Sequence, residues 1–131
     1  DADNGAQMFT RACALCHTHS GQGHAVGPDL TGLRNQPAAT LLLHIIVPNH
    51  EVQGAYTLYE VDTRDNQTFA GLLAADTPEQ ITLKLPLGLT KTLARKNIKT
   101  LRASPISLMP EQLEKTMTKK ELADLLAFLK K

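Results

Sequence analysis

The stretch Cys13-Ala14-Leu15-Cys16-His17 decides how the rest of the chain is interpreted. Two thiols three residues apart, followed directly by a histidine, are typical of covalent haem attachment. Both sulfurs can reach the vinyl groups on one haem edge while the imidazole lies under the iron. A zinc half-site needs further ligands, and a thioredoxin-like redox pair needs a preceding strand. The chain has only 2 cysteines and no strand is predicted before them, so the motif favours haem.

Helical signals lie on both sides of this motif. A first helix, capped by Asp3 or Asn4, is predicted to end near Cys16-His17, where glycines begin. A second helix is predicted from about Ala38 to Val47, with prolines at both of its ends. The capping box Thr118-x-x-Glu121 indicates the start of a final helix with one apolar face.

Residues 51–103 change from helical to strand-like patterning. Apolar and polar residues alternate over 81–87, and Asp65-Asn66 suits a hairpin turn because both residues tolerate positive φ. Strands are predicted over 56–63, 68–75, 81–87 and 90–94. We therefore predict a three- or four-stranded antiparallel insert inside a single domain of 131 residues.

Composition adds two constraints on the function. Aromatic residues make up 4% of the chain and tryptophan is absent, which is what we expect if a large flat cofactor supplies ring bulk to a leucine-rich core. The longest apolar stretch, 41–47, is interrupted by His44 and is far shorter than the ~20 residues of a membrane span. We expect no membrane span and no nucleic-acid binding.

The net charge of +1 conceals a segregated charge distribution. Residues 80–110 contain six basic residues and no acidic one. Such a stretch can steer an acidic partner, or it can be an ordinary solvated strand face. These basic residues are Lys84, Lys91, Arg95, Lys96, Lys99 and Arg102.

The order of these features resembles the class I c-type cytochromes: short helix, Cys-x-x-Cys-His, Gly27-Pro28-Asp29-Leu30, helix, methionine loop and final helix. In that family a glycine and an aromatic residue of the first helix pack on the last helix, and Gly5, Phe9 and Phe128 match them in kind. The resemblance implies a mainly α fold, a class I cytochrome helical core with an antiparallel β insert between the second helix and the axial-methionine loop.

The resemblance also implies the site residues. Cys13 and Cys16 would attach one haem c, and His17 would be the proximal iron ligand. The carbonyl of Pro28 would accept the ring N–H of His17, which orients the ligand and makes it more electron-donating. Candidates for binding the haem propionates are Arg34, Asn49, Tyr56 and Tyr59.

The second iron ligand must come from far along the chain. Met109 lies in a loop stiffened by Pro105 and Pro110 and precedes the last helix, as the axial methionine of the family does. Met8 and Met117 are expected in the core. A distal histidine or an open iron are the alternatives; the other histidines are His19, His24, His44 and His50.

A closer resemblance covers most of the chain. Pro48-Asn49, the Tyr56–Tyr59 strand start, Gly71 and Ser107-Leu108-Met109-Pro110 are similar to haem-binding domains of large secreted dehydrogenase-like proteins in planctomycetes and verrucomicrobia. It implies a periplasmic or secreted module that accepts electrons from a dehydrogenase, fused or separate, and passes them to a cytochrome or an oxidase.

These observations predict a monomeric, monohaem one-electron carrier with His17 and Met109 as iron ligands, and not an enzyme. The alternative is a gas-binding sensor or weak peroxidase, which requires an open or labile distal position on the iron.

Overall fold

Three α-helices and a five-stranded sheet form the fold, and the computed structural model describes all residues from 1 to 131. The helices are α1 (Ala2–Ala12), α2 (Ala38–Ile46) and α3 (Lys119–Leu129). Helix α1 is capped by Asp1, whose side chain accepts from the first free amides, and not by Asp3 or Asn4 as predicted. It also ends earlier than predicted, just before Cys13. The capping box of Thr118 and Glu121 is confirmed.

The crossing of α1 and α3 forms the centre of the helical part. Gly5 lies so close to α3 that a Cβ at this position would be 2.7 Å from the Cβ of Phe128 and closer still to the carbonyl oxygen of Asp124. The Phe9 ring is buried, with its centroid 5.5 Å from that of Phe128. The buried His19 ring packs on the same two phenylalanines, so aromatic contacts join the two ends of the chain.

Two short strands, β1 (Thr18–His19) and β2 (Gln22–Gly23), form a small ribbon directly after the cysteine–histidine motif. The main sheet follows α2 and is antiparallel throughout, with its strands in the order β6-β5-β4-β3-β7. Its strands are β3 (Leu58–Thr63), β4 (Thr68–Asp76), β5 (Gln80–Lys84), β6 (Thr90–Ala94) and β7 (Ile98–Ala103).

The sheet curves around its own core. Val61, Ile81 and Leu83 are completely buried and pack with Leu93 on one face. Ile98 of β7 packs on the same cluster, although β7 and β6 are at opposite edges of the sheet. A single 3-10 turn joins those two edges, so the sheet closes partly into a small barrel with its apolar face inside.

Two contacts hold the tip of the β5–β6 hairpin against the segment after α1. The Leu87 N–H donates to the Leu15 carbonyl oxygen over 2.8 Å, and the Lys84 ammonium donates to the Ala25 carbonyl oxygen over 3.2 Å. Leu87 adopts φ 64°, a left-handed conformation that is unfavourable for a leucine. The hairpin tip therefore meets the chain between the two cysteines.

The predicted fold class is wrong. The chain is 36% helical and 27% strand, so it is a mixed α and β protein and not a mainly α cytochrome core. The resemblance rests on helices near the chain ends, while the middle of the chain forms a sheet larger than the three or four strands predicted. Strand β7 was missed because its outward-facing positions are basic; Arg102 pairs there with Glu60 and Asp62.

One predicted strand also ends early. Strand β5 stops at Lys84 and the chain then enters a 3-10 turn at Pro86, because proline offers no N–H to a strand ladder. No helix in this structure combines the length and apolarity that a bilayer crossing requires.

Candidate cofactor site

The cysteine–histidine motif folds as a tight turn at the end of α1. The Cys13 N–H donates to the Phe9 carbonyl oxygen over 2.8 Å, and the His17 N–H donates to the Cys13 carbonyl oxygen over 2.9 Å. Continuing the helical path by one turn brings Cys13, Cys16 and His17 to the wall of one cleft. Cys13 is buried, Cys16 is half-buried, and no disulfide joins them.

Burial controls the chemistry of the two thiols. It raises the pKa of Cys13 to about 11, with a smaller contribution from the neighbouring Cys16, and it also raises the pKa of Cys16. Protonated thiols are poor redox nucleophiles and poor metal ligands. No group of three or more His, Cys, Asp and Glu side chains is placed to hold a metal ion. Neither the redox pair nor the zinc half-site gains support.

The His17 ring is fixed by its neighbours. Its Nδ1 lies 2.7 Å from the Pro28 carbonyl oxygen; because a carbonyl only accepts, Nδ1 carries the hydrogen and Nε2 keeps its lone pair. A Cβ on Gly27 would lie 2.8 Å from the ring carbon Cε1, so only glycine fits there. The ring therefore has one orientation, with a free nitrogen available to a metal.

The cleft beside this ring has a volume of about 420 Å³ and is open to solvent on one side. Its walls come from the end of α1, the loop after it, α2 and the segment that follows, the methionine loop, the end of α3, and Leu72 of β4. Mostly apolar side chains line it, including Leu30, Leu41, Ile45, Leu72, Met109 and Leu129. Its size is in the range of cofactor pockets.

Met109 reaches this cleft from the loop before α3. Three hydrogen bonds organise that loop. The Met109 N–H donates to Ser107 Oγ over 3.1 Å, the Ser107 N–H donates to Asn49 Oδ1 over 2.7 Å, and Asn49 Nδ2 donates to Glu111 Oε1 over 2.7 Å. Met109 packs against the helical core that contains Phe9.

Of the predicted site residues, the structure brings together Cys13, Cys16, His17, Pro28 and Met109 on the cleft. Tyr56 also lines the cleft. Three others lie elsewhere, and one of them, Tyr59, packs against the apolar core of the sheet. Arg34 donates to the Lys131 carbonyl oxygen over 2.9 Å, and Asn49 faces the methionine loop. Besides His17, the polar residues on the cleft wall are Asp29, Gln36, Thr40, His44, Glu51, Gln53, Tyr56 and Ser107.

Sequence reasoning missed two features. The Asn49–Ser107 bond joins residues far apart in sequence, so no local pattern indicates it. His19 is buried between aromatic rings, with its Nδ1 unpartnered; its position two residues after His17, directly next to the motif, was the only signal.

The donor set fits a covalently held haem. Two thiols, an oriented imidazole and a thioether share one apolar cleft that is open at one side. The thiols suit thioether formation, and the imidazole and thioether suit an iron whose remaining ligands are the porphyrin nitrogens.

Comparison with known proteins agrees with this geometry. The family model described as "Cytochrome c" matches residues 2–83. Two proteins named "Cytochrome c", from Cochliobolus lunatus and Arabidopsis thaliana, are each 50% identical over 34 residues, which is 25% of this chain. The matched segment spans 32% and 30% of those relatives, about a third of their length. The family match ends before Met109.

Proposed function

Because the chain belongs to the cytochrome c family, whose members bind covalently attached haem c, we propose that it carries single electrons between a dehydrogenase and a downstream acceptor. Cys13 and Cys16 would form the thioether links, and His17 and Met109 would supply the two protein ligands of the iron. When bound, the haem supplies a one-electron iron couple; the chain supplies its attachment, orientation and surroundings.

One observation carries this proposal. The His17 ring, with Nδ1 committed to the Pro28 carbonyl over 2.7 Å, lines the same cleft as the Met109 thioether. A nitrogen ligand paired with a thioether favours the reduced iron and raises the reduction potential, as electron-transfer cytochromes require.

The surroundings suit electron transfer better than substrate chemistry. Apolar walls exclude water from the iron, and both ligand segments are restrained by hydrogen bonds. A site that is fixed before transfer needs little rearrangement between the two oxidation states. The chain therefore acts as a carrier and not as an enzyme.

The partners and location follow from the chemistry of such a carrier. The donor is a dehydrogenase, fused to this domain or separate, as in the planctomycete and verrucomicrobial proteins that the sequence resembles. The acceptor is another cytochrome or an oxidase. Because haem c is attached outside the cytoplasm, the domain works in the periplasm or as a secreted protein, as a monomer.

Intact mass and absorption spectra of the oxidised and reduced protein test this function. We expect one haem per chain and a methionine-to-ferric-iron band. In Met109→Ala the band is lost and the potential falls by on the order of 0.1 V. Met117→Ala is the matched control because Met117 is partly buried against the same core, and it should keep both. A matured chain with only the mass of its amino acids overturns the proposal.

The same samples address the alternative of gas sensing or weak peroxidase activity. That function requires a free coordination position, so the ferrous wild-type protein would bind carbon monoxide without prior unfolding. We expect binding only in Met109→Ala. Uptake by the wild-type protein, equal to that of the variant, would favour the sensor.

A further inference from the structure

The side chain of Asn49 lies between the end of α2 and the methionine loop. Asn49 follows Pro48, which is on the cleft wall, and its own side chain is half-buried. Its amide oxygen accepts from the Ser107 N–H, and its amide nitrogen donates to Glu111, each over 2.7 Å. The two contacts fall on either side of Met109.

We propose that Asn49 is a positioning residue that holds Met109 in place for the iron, and that it does not bind a haem propionate. The proposal rests on the proposed function, because it takes Met109 as the axial ligand. Both ends of the Asn49 amide are engaged within the protein, and Asn49 is absent from the cleft wall that the haem would contact.

Geometry explains why an amide suits this position. The side-chain amide of asparagine carries an acceptor and a donor close together on one planar group, and the loop needs both, one on each flank of Met109. The acceptor fixes Ser107, whose hydroxyl in turn accepts the Met109 N–H over 3.1 Å. The donor fixes the carboxylate of Glu111, two residues beyond Met109. One side chain thus restrains the loop on both sides of the thioether.

This link also connects the ligand to a rigid element. The His50 N–H donates to the Val47 carbonyl oxygen over 2.9 Å, so Asn49 lies within a closed turn at the end of α2. The α2 side chains Leu41 and Ile45 are buried. Asn49 therefore ties the position of Met109 to a packed helix. The Met109 loop itself has no helix or strand between the end of β7 and the 3-10 turn at Leu113–Thr116.

The test measures how easily an added ligand displaces Met109. Imidazole is titrated into the ferric holoprotein of the wild type, Asn49→Ala and Asn97→Ala. Asn97 is exposed, and its only hydrogen bond outside the helix and strand ladders is accepted by its backbone carbonyl, so Asn97→Ala is the matched control. We expect Asn49→Ala to bind imidazole about tenfold more tightly than the wild type, the factor that losing one such bond gives, and Asn97→Ala to match the wild type.

A second readout does not involve the iron. Hydrogen exchange at the Ser107 amide should accelerate about tenfold in Asn49→Ala, because that N–H loses its acceptor. Glu111→Gln keeps an acceptor for the Asn49 amide and should stay within about twofold of the wild type in both measurements. If Asn49→Ala fails to load haem, Asn49→Ser serves the same comparison.

Equal imidazole affinity in Asn49→Ala and Asn97→Ala would overturn the positioning role, even where Met109→Ala shows that the methionine is the ligand. If Met109→Ala itself leaves the ferric spectrum and the imidazole affinity unchanged, the proposed ligand set is wrong and the positioning role is overturned with it. The Met109→Ala sample therefore separates the two failures.

Discussion

The sheet and the helical part solve the problem of a small core in different ways. The sheet, residues 58–103, buries Val61, Ile81 and Leu83 completely within its own curve. The helical part, formed by the remaining residues, provides most of the wall of an apolar cleft of about 420 Å³, to which the sheet adds Leu72. The side chains of the sheet fill its core by themselves, whereas the core of the helical part is filled only when the haem is bound. We therefore expect loss of the haem to destabilise the helical part and to leave the sheet folded.

The sharpest way to break this comparison is to remove haem attachment. In Cys13→Ser/Cys16→Ser the cleft stays unfilled. At ~24 cal/mol per Å³, a closed cavity of about 420 Å³ costs roughly 10 kcal/mol, an upper bound because the cleft opens to solvent. That is comparable with the whole stability of a domain. We expect amide exchange to show α1 and α3 unprotected while the sheet remains protected; equal protection of both parts would contradict the comparison.

The next largest effect is expected where α1 crosses α3. In Gly5→Val the new side chain meets the α3 backbone at Asp124 and the Cβ of Phe128. Overpacking of this kind costs about 3 kcal/mol or more, and denaturant unfolding should show it as a lower midpoint of the helical transition. Gly54→Val is the control, since nothing lies within 4 Å of its Cβ position. A similar drop of the unfolding midpoint in both variants would show that close packing at the crossing of α1 and α3 does not cause it.

Two buried leucines, one in the sheet and one in the helical part, test which of the two cores supports the haem. Leu83 in the sheet and Leu125 in α3 are both completely buried. Replacing either by alanine should cost about 2–5 kcal/mol. We expect Leu125→Ala to shift the haem absorption spectrum and its thermal loss, because its cluster includes Met109 and Cys13. Leu83→Ala should leave the spectrum unchanged; a spectral shift there would show that the sheet core supports the haem directly.

Acid should act on both parts through different carboxylates. Lys120 holds the pKa of Asp124 well below its usual range at the helix crossing, and the hydrogen bond from Asn4 acts in the same direction. In the sheet, Arg102 and then Thr100 lower the pKa of Asp62 to about 2. A pKa that is lower in the folded state gives stability that is complete above the unfolded value, 3.8, and is lost as the pH falls below it.

The free energy of unfolding should therefore decline in acid for both parts. Asp124→Asn should flatten that decline for the helical transition only, and Asp62→Asn for the sheet transition only. Circular dichroism at helical and strand wavelengths, followed from pH 6 to pH 2, distinguishes the two. A single transition that both variants affect equally would show that the parts unfold together.

The smallest effect concerns the six basic residues of 80–110. In the structure four of the six side chains contact other groups, and only the side chains of Lys96 and Lys99 make no such contact. Replacing both by glutamate should change the rate of reduction by ferrocyanide less than about twofold at low salt. A larger, salt-sensitive change would show a steering surface on the sheet. The engaged partners are Ala25 for Lys84, Phe69 for Lys91, Asp76 for Arg95, and Glu60 with Asp62 for Arg102.

Local signals in the sequence predicted local structure well. The capping box of α3, the prolines around α2 and the hairpin at Asp65-Asn66 each depend on residues close in sequence, and each is confirmed. The fold class was wrong because it depends on how the whole middle of the chain pairs. Strand β7 pairs directly with β3 although three strands separate them in sequence, and no local pattern shows such a pairing.

The site divides in the same way. The cysteine–histidine motif is a local pattern, and the contact of His17 with Pro28, which the resemblance to class I cytochromes implied, is confirmed. The bond from Asn49 to Ser107 and the contact of Arg34 with the chain end both join distant residues. Polar side chains such as these form hydrogen bonds with whichever group the fold brings near. Their residue types alone therefore could not distinguish a haem contact from a loop contact.

The sheet begins and ends at nearly the same place. Strands β3 and β7 are hydrogen-bonded neighbours, and the Ser104 N–H donates to the Leu58 carbonyl oxygen over 2.8 Å. Because its two ends lie side by side, segment 58–103 connects the helical part as a short loop would. The entropic cost of closing a loop grows slowly with its length. Another domain with adjacent termini could therefore replace the sheet while α2 and the Met109 loop keep their positions.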